Sequence, residues 1–322
     1  MTVELAVTSD RWLAPCLDFI RGPSGAPWVD SIDERTRAGR PKRVQYRRAS
    51  SYPSNVGDRF LLDRFMGVAK FLAGLRLSPS DTEMLLALDP DHGDSYRTLC
   101  DAVEIALEES GILWRTARGT WVHSTLEHAD RGDKVPDELY DEGTRWGFDR
   151  AGVDDIVERW RAFLDGLGMR VLAIEQRVIQ DEFRAAGTLD RVVHLTRKLR
   201  FADGVWLPKG IAVVGDIKSS QLRLANGEPG FWGDYVCQVY LYASSRPYLI
   251  HDTPRGRRER RGDWPWAIDQ DHAVILHVDL DVRPPTFSIW RVQLAAGREL
   301  ALLAWGVREH ERRTGLFVAG LT

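Results

Sequence analysis

Hydrophobic positions recur along the chain with two periods, and the period changes close to Gly168. Before that glycine, apolar side chains lie three or four residues apart, which predicts helices. After it, short apolar and β-branched runs predict strands. The predicted helices cover 54–77, 96–109, 146–167, 231–243 and 294–313, with another beginning near Arg118, and the predicted strands cover 171–179, 185–195, 211–219, 272–280 and 286–292.

This order of elements predicts an α/β fold with a mixed central sheet flanked by helices, after a helical N-terminal region. The first two strands are expected to form a hairpin with a turn near 181–186. Gly and Pro punctuate residues 1–50, which predicts an irregular arm, and segments 129–143 and 251–266 are expected to be loops. We therefore divide the chain into an arm and helical region, 1–115, and a core, 116–322, that carries an arginine-rich loop.

Charged residues occupy two of the predicted strands. Asp190 lies within the second, and Asp216 and Lys218 lie at the end of the third, after an apolar run. Alternate residues of a strand share a face, about 6–7 Å apart, so Asp216 and Lys218 are neighbours. Two close carboxylates repel each other, and a hard divalent cation would relieve that repulsion, with the Ile217 carbonyl as a further oxygen ligand. The alternative is a structural Asp–Lys ion pair at the end of a strand.

Three residues on predicted helices accompany these charges. His123 lies on the helix before the strands, where a lone histidine is commonly a hydrogen-bonded core or surface residue. Gln238 and Tyr242 are four residues apart on the helix that follows Lys218, so they share a helix face. On its own, this spacing is also compatible with simple packing.

Taken in order, the motifs are R-G-T-x-x-H, an acidic residue, G-T-x-D-R, G-D-x-K-S and Q-x-x-x-Y, within residues 118–245. This order resembles the RecB-like branch of the PD-(D/E)xK nuclease superfamily, which includes CRISPR-associated RecB-like exonucleases and phage exonucleases. The resemblance implies a restriction-endonuclease-like core that hydrolyses phosphodiester bonds with Mg²⁺ or Mn²⁺.

The resemblance also implies roles for individual residues. Asp190 and Asp216 match the family's metal-binding carboxylates, and His123 matches a histidine that contacts the metal or orients its ligands. Lys218 matches the lysine that positions or activates the attacking water and stabilises phosphate charge. Glu175 matches an acidic residue of the first strand, near the site. The expected DNA contacts are the Q-x-x-x-Y pair with nearby polar and basic residues, namely Gln238, Tyr242, Ser219, Ser220, Arg191, Arg257 and Arg258.

Composition refines this interpretation. The net charge of −3 argues against a polybasic DNA binder, yet basic clusters occupy residues 35–48 and 255–261. Only three cysteines occur, and none follows Cys237, so we expect no iron–sulfur cluster of the kind that many relatives carry. The sequence has neither a signal segment nor an apolar run of about 20 residues, so we expect a cytoplasmic protein with no membrane partner.

The expected function is a metal-dependent deoxyribonuclease, specifically an exonuclease, in DNA recombination, repair or phage DNA processing. Its partners would be single-stranded or double-stranded DNA ends and a recombinase or helicase, since the chain carries no G-x-x-x-x-G-K-[ST] motor motif. The alternative is a catalytically inactive nucleic-acid-binding module of a recombination or phage assembly. Metal-dependent product formation would distinguish the two functions.

Overall fold

A computed structural model describes residues 18–21, 26–55, 114–219, 233–253 and 256–311, with isolated positions at 13, 83, 87, 94, 95 and 98. The predicted helices over 54–77 and 96–109 lie almost entirely outside these residues. The chain divides into two compact units, Met1–Gly57 with His123–Thr322, and Asp58–Val122. The sequence-based division placed residues 1–115 together, whereas here residues 1–57 group with the C-terminal part of the chain.

The N-terminal elements are four strands and a short 3-10 helix: β1 Ile20–Arg21, β2 Pro27–Arg35, β3 Pro41–Gln45, β4 Arg47–Arg48 and the 3-10 helix Ala49–Asn55. Three helices follow: α1 Trp114–Arg131, α2 Asp137–Arg145 and α3 Arg150–Leu167. The next strands are β5 Met169–Gln180, β6 Ala185–Leu195, β7 Leu199–Arg200, β8 Trp206–Leu207 and β9 Ala212–Lys218. The last elements are α4 Gly233–Ala243, β10 Arg246–Thr253, β11 Gly256–Arg261, β12 His272–Asp279, β13 Thr286–Gln293 and α5 Leu294–Glu311.

The central sheet has eight strands and is mixed. Seven of them run in the order β11-β10-β5-β6-β9-β12-β13, and β4 pairs with the start of β6. β9 and β12 are parallel, as are β4 and β6, while the other neighbours are antiparallel. The predicted α/β fold with a mixed central sheet is therefore confirmed, as is the hairpin of β5 and β6.

Helices cover both faces of the sheet. On one face, α4 packs against α5 and the 3-10 helix over a core that includes Val192, Val214 and Ile275. On the other face, Phe163 of α3 stacks on Phe287 of β13 and Trp160 contacts the same ring at a tilt, with ring centroids 5.7 Å apart in each pair. The inner strands are thus buried on both sides, which is why their sequences are almost continuously apolar. Among the described helices, none is long and apolar enough to cross a bilayer.

The predicted irregular arm over residues 1–50 is wrong for its second half. There β2 and β3 form an antiparallel pair that buries Val29 and Val44 in a small second core with Tyr248 and Ile250 of β10. Among the described residues of this segment, Pro27 and Pro41 begin β2 and β3, and Gly39 has φ of 75° in the tight turn between these strands.

The two predicted loops are also wrong. Segment 129–143 contains the end of α1 and most of α2, whose first turn carries Asp137 and Glu138, where negative charge favours a helix N-terminus. Segment 251–266 contains the end of β10 and all of β11, which form an antiparallel hairpin. Ionic contacts link this hairpin to the turn between β5 and β6; for example, Arg261 Nη2 donates to Asp181 Oδ1 at 2.7 Å. Because such contacts use charged side chains, the sequence of β11 shows no hydrophobic period.

Candidate metal centre

Three carboxylates lie side by side across three adjacent strands. The register of β5 with β6, continued through Glu175, sets Glu175 opposite Asp190, and the register of β6 with β9 sets Asp190 opposite Asp216. We call these residues the carboxylate row. Residues opposite each other on neighbouring strands have Cβ atoms about 4.5–5.5 Å apart, so the sheet itself concentrates three acidic groups.

Glu175 has an unusual backbone. Its φ of 49° lies in the left-handed region, which costs a residue with a side chain about 1–2 kcal/mol. Its side chain is 24% exposed, whereas that of Asp216 is fully buried, so Glu175 forms the more accessible end of the row. Strain of this kind concentrates at functional sites, where the surrounding structure holds it in place.

His123, Glu175 and Asp190 each offer one ligand atom, and these atoms lie within 4.8 Å of one another. Ligand atoms bound to one cation at about 2.0–2.4 Å can be no more than about 4.8 Å apart, so this set fits a single ion. Two carboxylates and one imidazole suit Mg²⁺ or Mn²⁺, with the nitrogen favouring the transition metal. This donor set is compatible with several divalent cations, and binding of Mg²⁺ or Mn²⁺ stays a prediction.

His123 reaches the row from α1. Its Nε2 lies 3.0 Å from the Ile217 carbonyl oxygen, and its Nδ1 lies 3.6 Å from Asp190 Oδ2. A carbonyl only accepts, so Nε2 carries the proton and the Nδ1 lone pair faces the carboxylate. Burial, with a smaller effect from the charges of Lys218 and Arg191, lowers the pKa of His123 to about 4, so the imidazole is neutral and able to ligate a metal.

The Ile217 backbone is engaged on both sides of the site. Its carbonyl accepts the hydrogen bond from His123, and its N–H donates to Asp190 Oδ2 at 2.8 Å. The second bond fixes Asp190 Oδ2, the same oxygen that lies 3.6 Å from His123 Nδ1. Metal ligation by the Ile217 carbonyl stays a prediction.

Asp216 lies outside the set of close ligand atoms because its carboxylate faces a cation and an amide. Lys218 Nζ lies 2.5 Å from Asp216 Oδ2, and Gln238 Nε2 donates to Asp216 Oδ1 at 3.3 Å. The same ammonium lies 4.6 Å from the ring centre of Tyr235, which closes over it from α4. Asp216 thus holds Lys218 beside the carboxylate row.

Electrostatics follow from this crowding. Burial, together with repulsion by Asp190, raises the pKa of Glu175 to about 8. Burial also raises the pKa of Asp216 to about 6, although the attraction of Lys218 opposes the change. Burial alone would lower the pKa of Lys218, but the charges of Asp216 and Asp190 outweigh it, so the pKa is raised and the side chain is an ammonium ion at neutral pH.

Arg191 lies on the opposite side of β6 from Asp190 and is completely buried. Its Nε donates to Asp130 Oδ2 at 2.5 Å, and its Nη1 lies 3.4 Å from Glu175 Oε1. Asp130 also accepts from Trp160 Nε1 at 2.7 Å, which fixes the pair against α3. The prediction that Arg191 contacts DNA is therefore wrong, because a buried and paired guanidinium cannot reach a phosphate. Nothing in the sequence marked Asp130 as its partner.

Gln238 and Tyr242 are buried beneath the row. Tyr242 OH accepts a hydrogen bond of 3.2 Å from Gln238 Nε2, which also donates to Asp216. Gly187 of β6 faces this ring so closely that an added Cβ would meet Tyr242 Cε1 at 2.9 Å. The Gln238 and Tyr242 side chains are both buried, so they are not positioned to contact DNA directly. Gln238 instead orients Asp216 through its hydrogen bond, and Tyr242 accepts a second bond from the same amide.

The remaining predicted contacts lie at the edge of the described chain. Ser219 is half-buried and follows Lys218 directly. Ser220 lies outside the described residues, as do the side chains of Arg257 and Arg258, whose backbones belong to β11. The sequence analysis did not identify Tyr235, which contacts Lys218. Its position on α4, one turn before Gln238, could have indicated that it lies on the same helix face as that residue.

The sequence matches no protein-family model and no curated protein. The chemistry of the centre is therefore argued from its own residues.

Proposed function

We propose that this protein is a metal-dependent deoxyribonuclease with a restriction-endonuclease-like core, similar to the RecB-like branch of the PD-(D/E)xK superfamily, and that it acts as an exonuclease. One observation carries the proposal. A lysine ammonium lies beside a row of three carboxylates, two of which, with His123, fit one cation. This combination binds a divalent cation and then a phosphate anion next to it.

The arrangement of elements supports the same core. The carboxylates lie on β5, β6 and β9, which are consecutive strands of the central sheet, and the parallel strand β12 continues the sheet beyond them. α1 supplies His123 from before these strands, and α4 supplies Gln238 from after them. Residues that are 115 positions apart in the chain thus converge on one end of β9.

Each residue has a defined task in phosphodiester hydrolysis. His123 Nδ1, Glu175 and Asp190 would hold the cation, which when bound polarises the phosphate and lowers the pKa of a water molecule. Lys218 carries a fixed positive charge and stabilises negative charge as it develops on the phosphate oxygens. Asp216, held by Gln238, keeps Lys218 in place.

The charge balance favours an anionic substrate only when the cation is bound. When all three carboxylates are ionised they outnumber the ammonium of Lys218, and such a site repels phosphate. A divalent cation neutralises that excess negative charge. Cleavage should therefore be strictly metal-dependent, and nucleic acid should approach the centre weakly in a chelator.

The test is cleavage of end-labelled single-stranded and double-stranded DNA in Mg²⁺, Mn²⁺ or EDTA. We expect wild-type protein to release short products with metal only, and Asp216→Asn and Lys218→Ala to lose this activity. Asp141→Asn and Lys134→Ala, both at exposed positions, are the matched controls and should cleave normally. Stepwise loss of terminal nucleotides indicates an exonuclease.

Two outcomes would contradict the proposal. Unchanged cleavage by both purified site variants would mean that the activity arises elsewhere or from a contaminant. DNA binding without any metal-dependent product would instead favour the inactive nucleic-acid-binding module.

A further inference from the structure

A small hairpin at the far end of β6 and β9 carries exposed charge that the metal centre does not use. It spans residues 196–210 and contains the paired strands β7 and β8, and we call it the basic hairpin. A tight turn closes it, in which Val205 N donates to Asp203 Oδ1 at 3.1 Å and Gly204 has φ of 84°. The backbone is thus well defined, although most of its side chains are exposed.

The basic hairpin has a strong excess of positive charge. Its four basic residues are exposed, namely Arg197, Lys198, Arg200 and Lys209. Its one acidic residue, Asp203, is already bound by Arg291 of β13. Arg170 of β5 adds to this excess. Burial lowers the pKa of His194, and the charges of Arg170 and Lys209 contribute to the same change, so both cations lie near that histidine. The basic hairpin and the adjoining strand β5 therefore hold five exposed basic residues.

Trp206 gives this region a flat apolar surface. Its side chain is 54% exposed, the largest exposed fraction among the large hydrophobic residues of the described chain. The register pairs it with Arg200 across the hairpin, and the guanidinium carbon lies 5.4 Å from the ring centre. An indole held beside a cation offers one surface for a base and one charge for the adjoining phosphate.

We propose that the basic hairpin binds single-stranded DNA, with an unpaired base stacked on Trp206 and the backbone held by Arg200 and its basic neighbours. The inference rests on the proposed function, since it identifies how a substrate strand is held. Single-stranded DNA is favoured over duplex because the face of a base is available for stacking only where the base is unpaired.

The position of the basic hairpin suits a strand that continues to the metal centre. Asp190 lies five residues before the end of β6, and Asp216 lies four residues after the start of β9. At about 3.3 Å per residue, the carboxylates lie roughly 13–17 Å along the strands from the base of the basic hairpin, and Trp206 lies further along the chain from that base. A spacing of about 3.4 Å per nucleotide, as along one strand of duplex DNA, makes the distance to the base of the basic hairpin roughly four or five nucleotides.

Binding can be tested without cleavage, using the full chain, EDTA and a fluorescent oligothymidylate of about 20 nucleotides, longer than the roughly 4–16 that one single-strand site covers. We expect Trp206→Ala to weaken binding by roughly 5- to 150-fold and Trp206→Phe to restore most of it. Arg200→Ala should weaken binding and reduce the slope of log K against log salt by about 0.7. A blunt duplex should be insensitive to Trp206→Ala.

The matched control is Arg150→Ala. Arg150 is also exposed and lies over an aromatic ring, that of Tyr140 at 4.0 Å, but it is paired with Asp137. This variant should bind like wild type. As a check that does not depend on a substitution, photocrosslinking of wild-type protein to an oligonucleotide containing 5-iododeoxyuridine should label the peptide that contains Trp206.

Equal binding of the oligothymidylate by wild type and folded Trp206→Ala would overturn the inference, as would equal losses on duplex or a crosslink in another peptide. These results are separable from the proposed function. If wild type cleaves DNA and Trp206→Ala binds the oligothymidylate normally, the proposed nuclease function stands and the proposed role of the basic hairpin is wrong. If the variants show the expected losses of binding and wild type never cleaves DNA, the proposed role of the basic hairpin stands and the proposed nuclease function is wrong.

Discussion

Replacing Glu175 by glutamine should stabilise the metal-free protein at neutral and higher pH. The pKa of this carboxyl is raised to about 8 from an ordinary value of 4.5, because the folded protein buries it beside Asp190. One pKa unit corresponds to about 1.4 kcal/mol, so the folded state loses about 3 kcal/mol at pH 7, where the unfolded carboxyl is ionised and the folded one still holds its proton. Glutamine has nearly the same shape and carries no charge, so it removes this cost.

The sign with pH follows from proton linkage. The folded carboxyl keeps its proton to a higher pH than the unfolded one, so the stability gained from the protonated form is complete below about pH 4.5 and is lost as the pH rises through about 8. Glu175→Gln should therefore change little at pH 4.5 and raise the unfolding temperature by several degrees at pH 8, at about 2–4 °C per kcal/mol.

The assay is thermal unfolding in EDTA across this pH range, with exposed Glu158→Gln as the matched control. The rival expectation is that Glu175 stabilises the fold through Arg191, whose Nη1 lies 3.4 Å from its carboxylate. In that case Glu175→Gln would lower the unfolding temperature, most strongly at high pH where the pair is ionised. Such a result would refute the reasoning that burial and repulsion dominate at this position.

Three further predictions concern the same centre. Mn²⁺ should raise the unfolding temperature of wild type more at pH 8 than at pH 6, because Glu175 must lose its proton to ligate, and Asp190→Asn should abolish this shift in a thermal scan. Lys218→Met should lower the cleavage rate by about 100-fold or more while leaving the Mn²⁺ shift in place, since Lys218 is not among the close ligand atoms; loss of both would place it in the metal site. Gly187→Ala should cost about 1–3 kcal/mol in denaturant unfolding, because its Cβ would displace the Tyr242 ring, whereas Gly166→Ala, which has open space, should not; equal effects would argue against the close contact.

The sheet and most of the carboxylate row could be predicted from sequence because both are local. Apolar runs bounded by turns identify β5, β6, β9 and β12 within about two residues, and the side-chain period of two sets Asp216 and Lys218 on one face. The register that brings Asp190 opposite Asp216 follows once the strands pair.

The parts that sequence did not predict depend on contacts between distant residues. Arg191 follows Asp190 directly and was interpreted as a DNA contact, yet its partner Asp130 lies 61 residues earlier on α1. The left-handed backbone of Glu175 has no local signal, since glutamate has no preference for that conformation. β11 lacks a hydrophobic period because ion pairs such as Arg261 with Asp181 take the place of apolar packing.

The arrangement of charges indicates where side-chain cations already balance the carboxylates and where the proposed metal ion would have to do so. Arg191, paired with Asp130, lies 3.4 Å from Glu175 on the protein side of the row, and a guanidinium cannot lose its charge. Lys218 does the same for Asp216, with a pKa that the carboxylates raise rather than lower. Among the described residues, Arg191 Nη1 donates to the backbone carbonyl oxygen of Asp190 at 2.8 Å and does not pair with its carboxylate. Burial raises the pKa of Asp190, although the charges of Lys218 and Arg191 oppose that change. Within the described chain, the carboxylate without a cationic partner of its own is therefore that of Asp190, beside Glu175 and the neutral imidazole of His123, where a divalent ion would bind. A basic side chain at that position would stabilise the fold and abolish the proposed cation site, so a centre that binds a metal is expected to be less stable when the metal is absent.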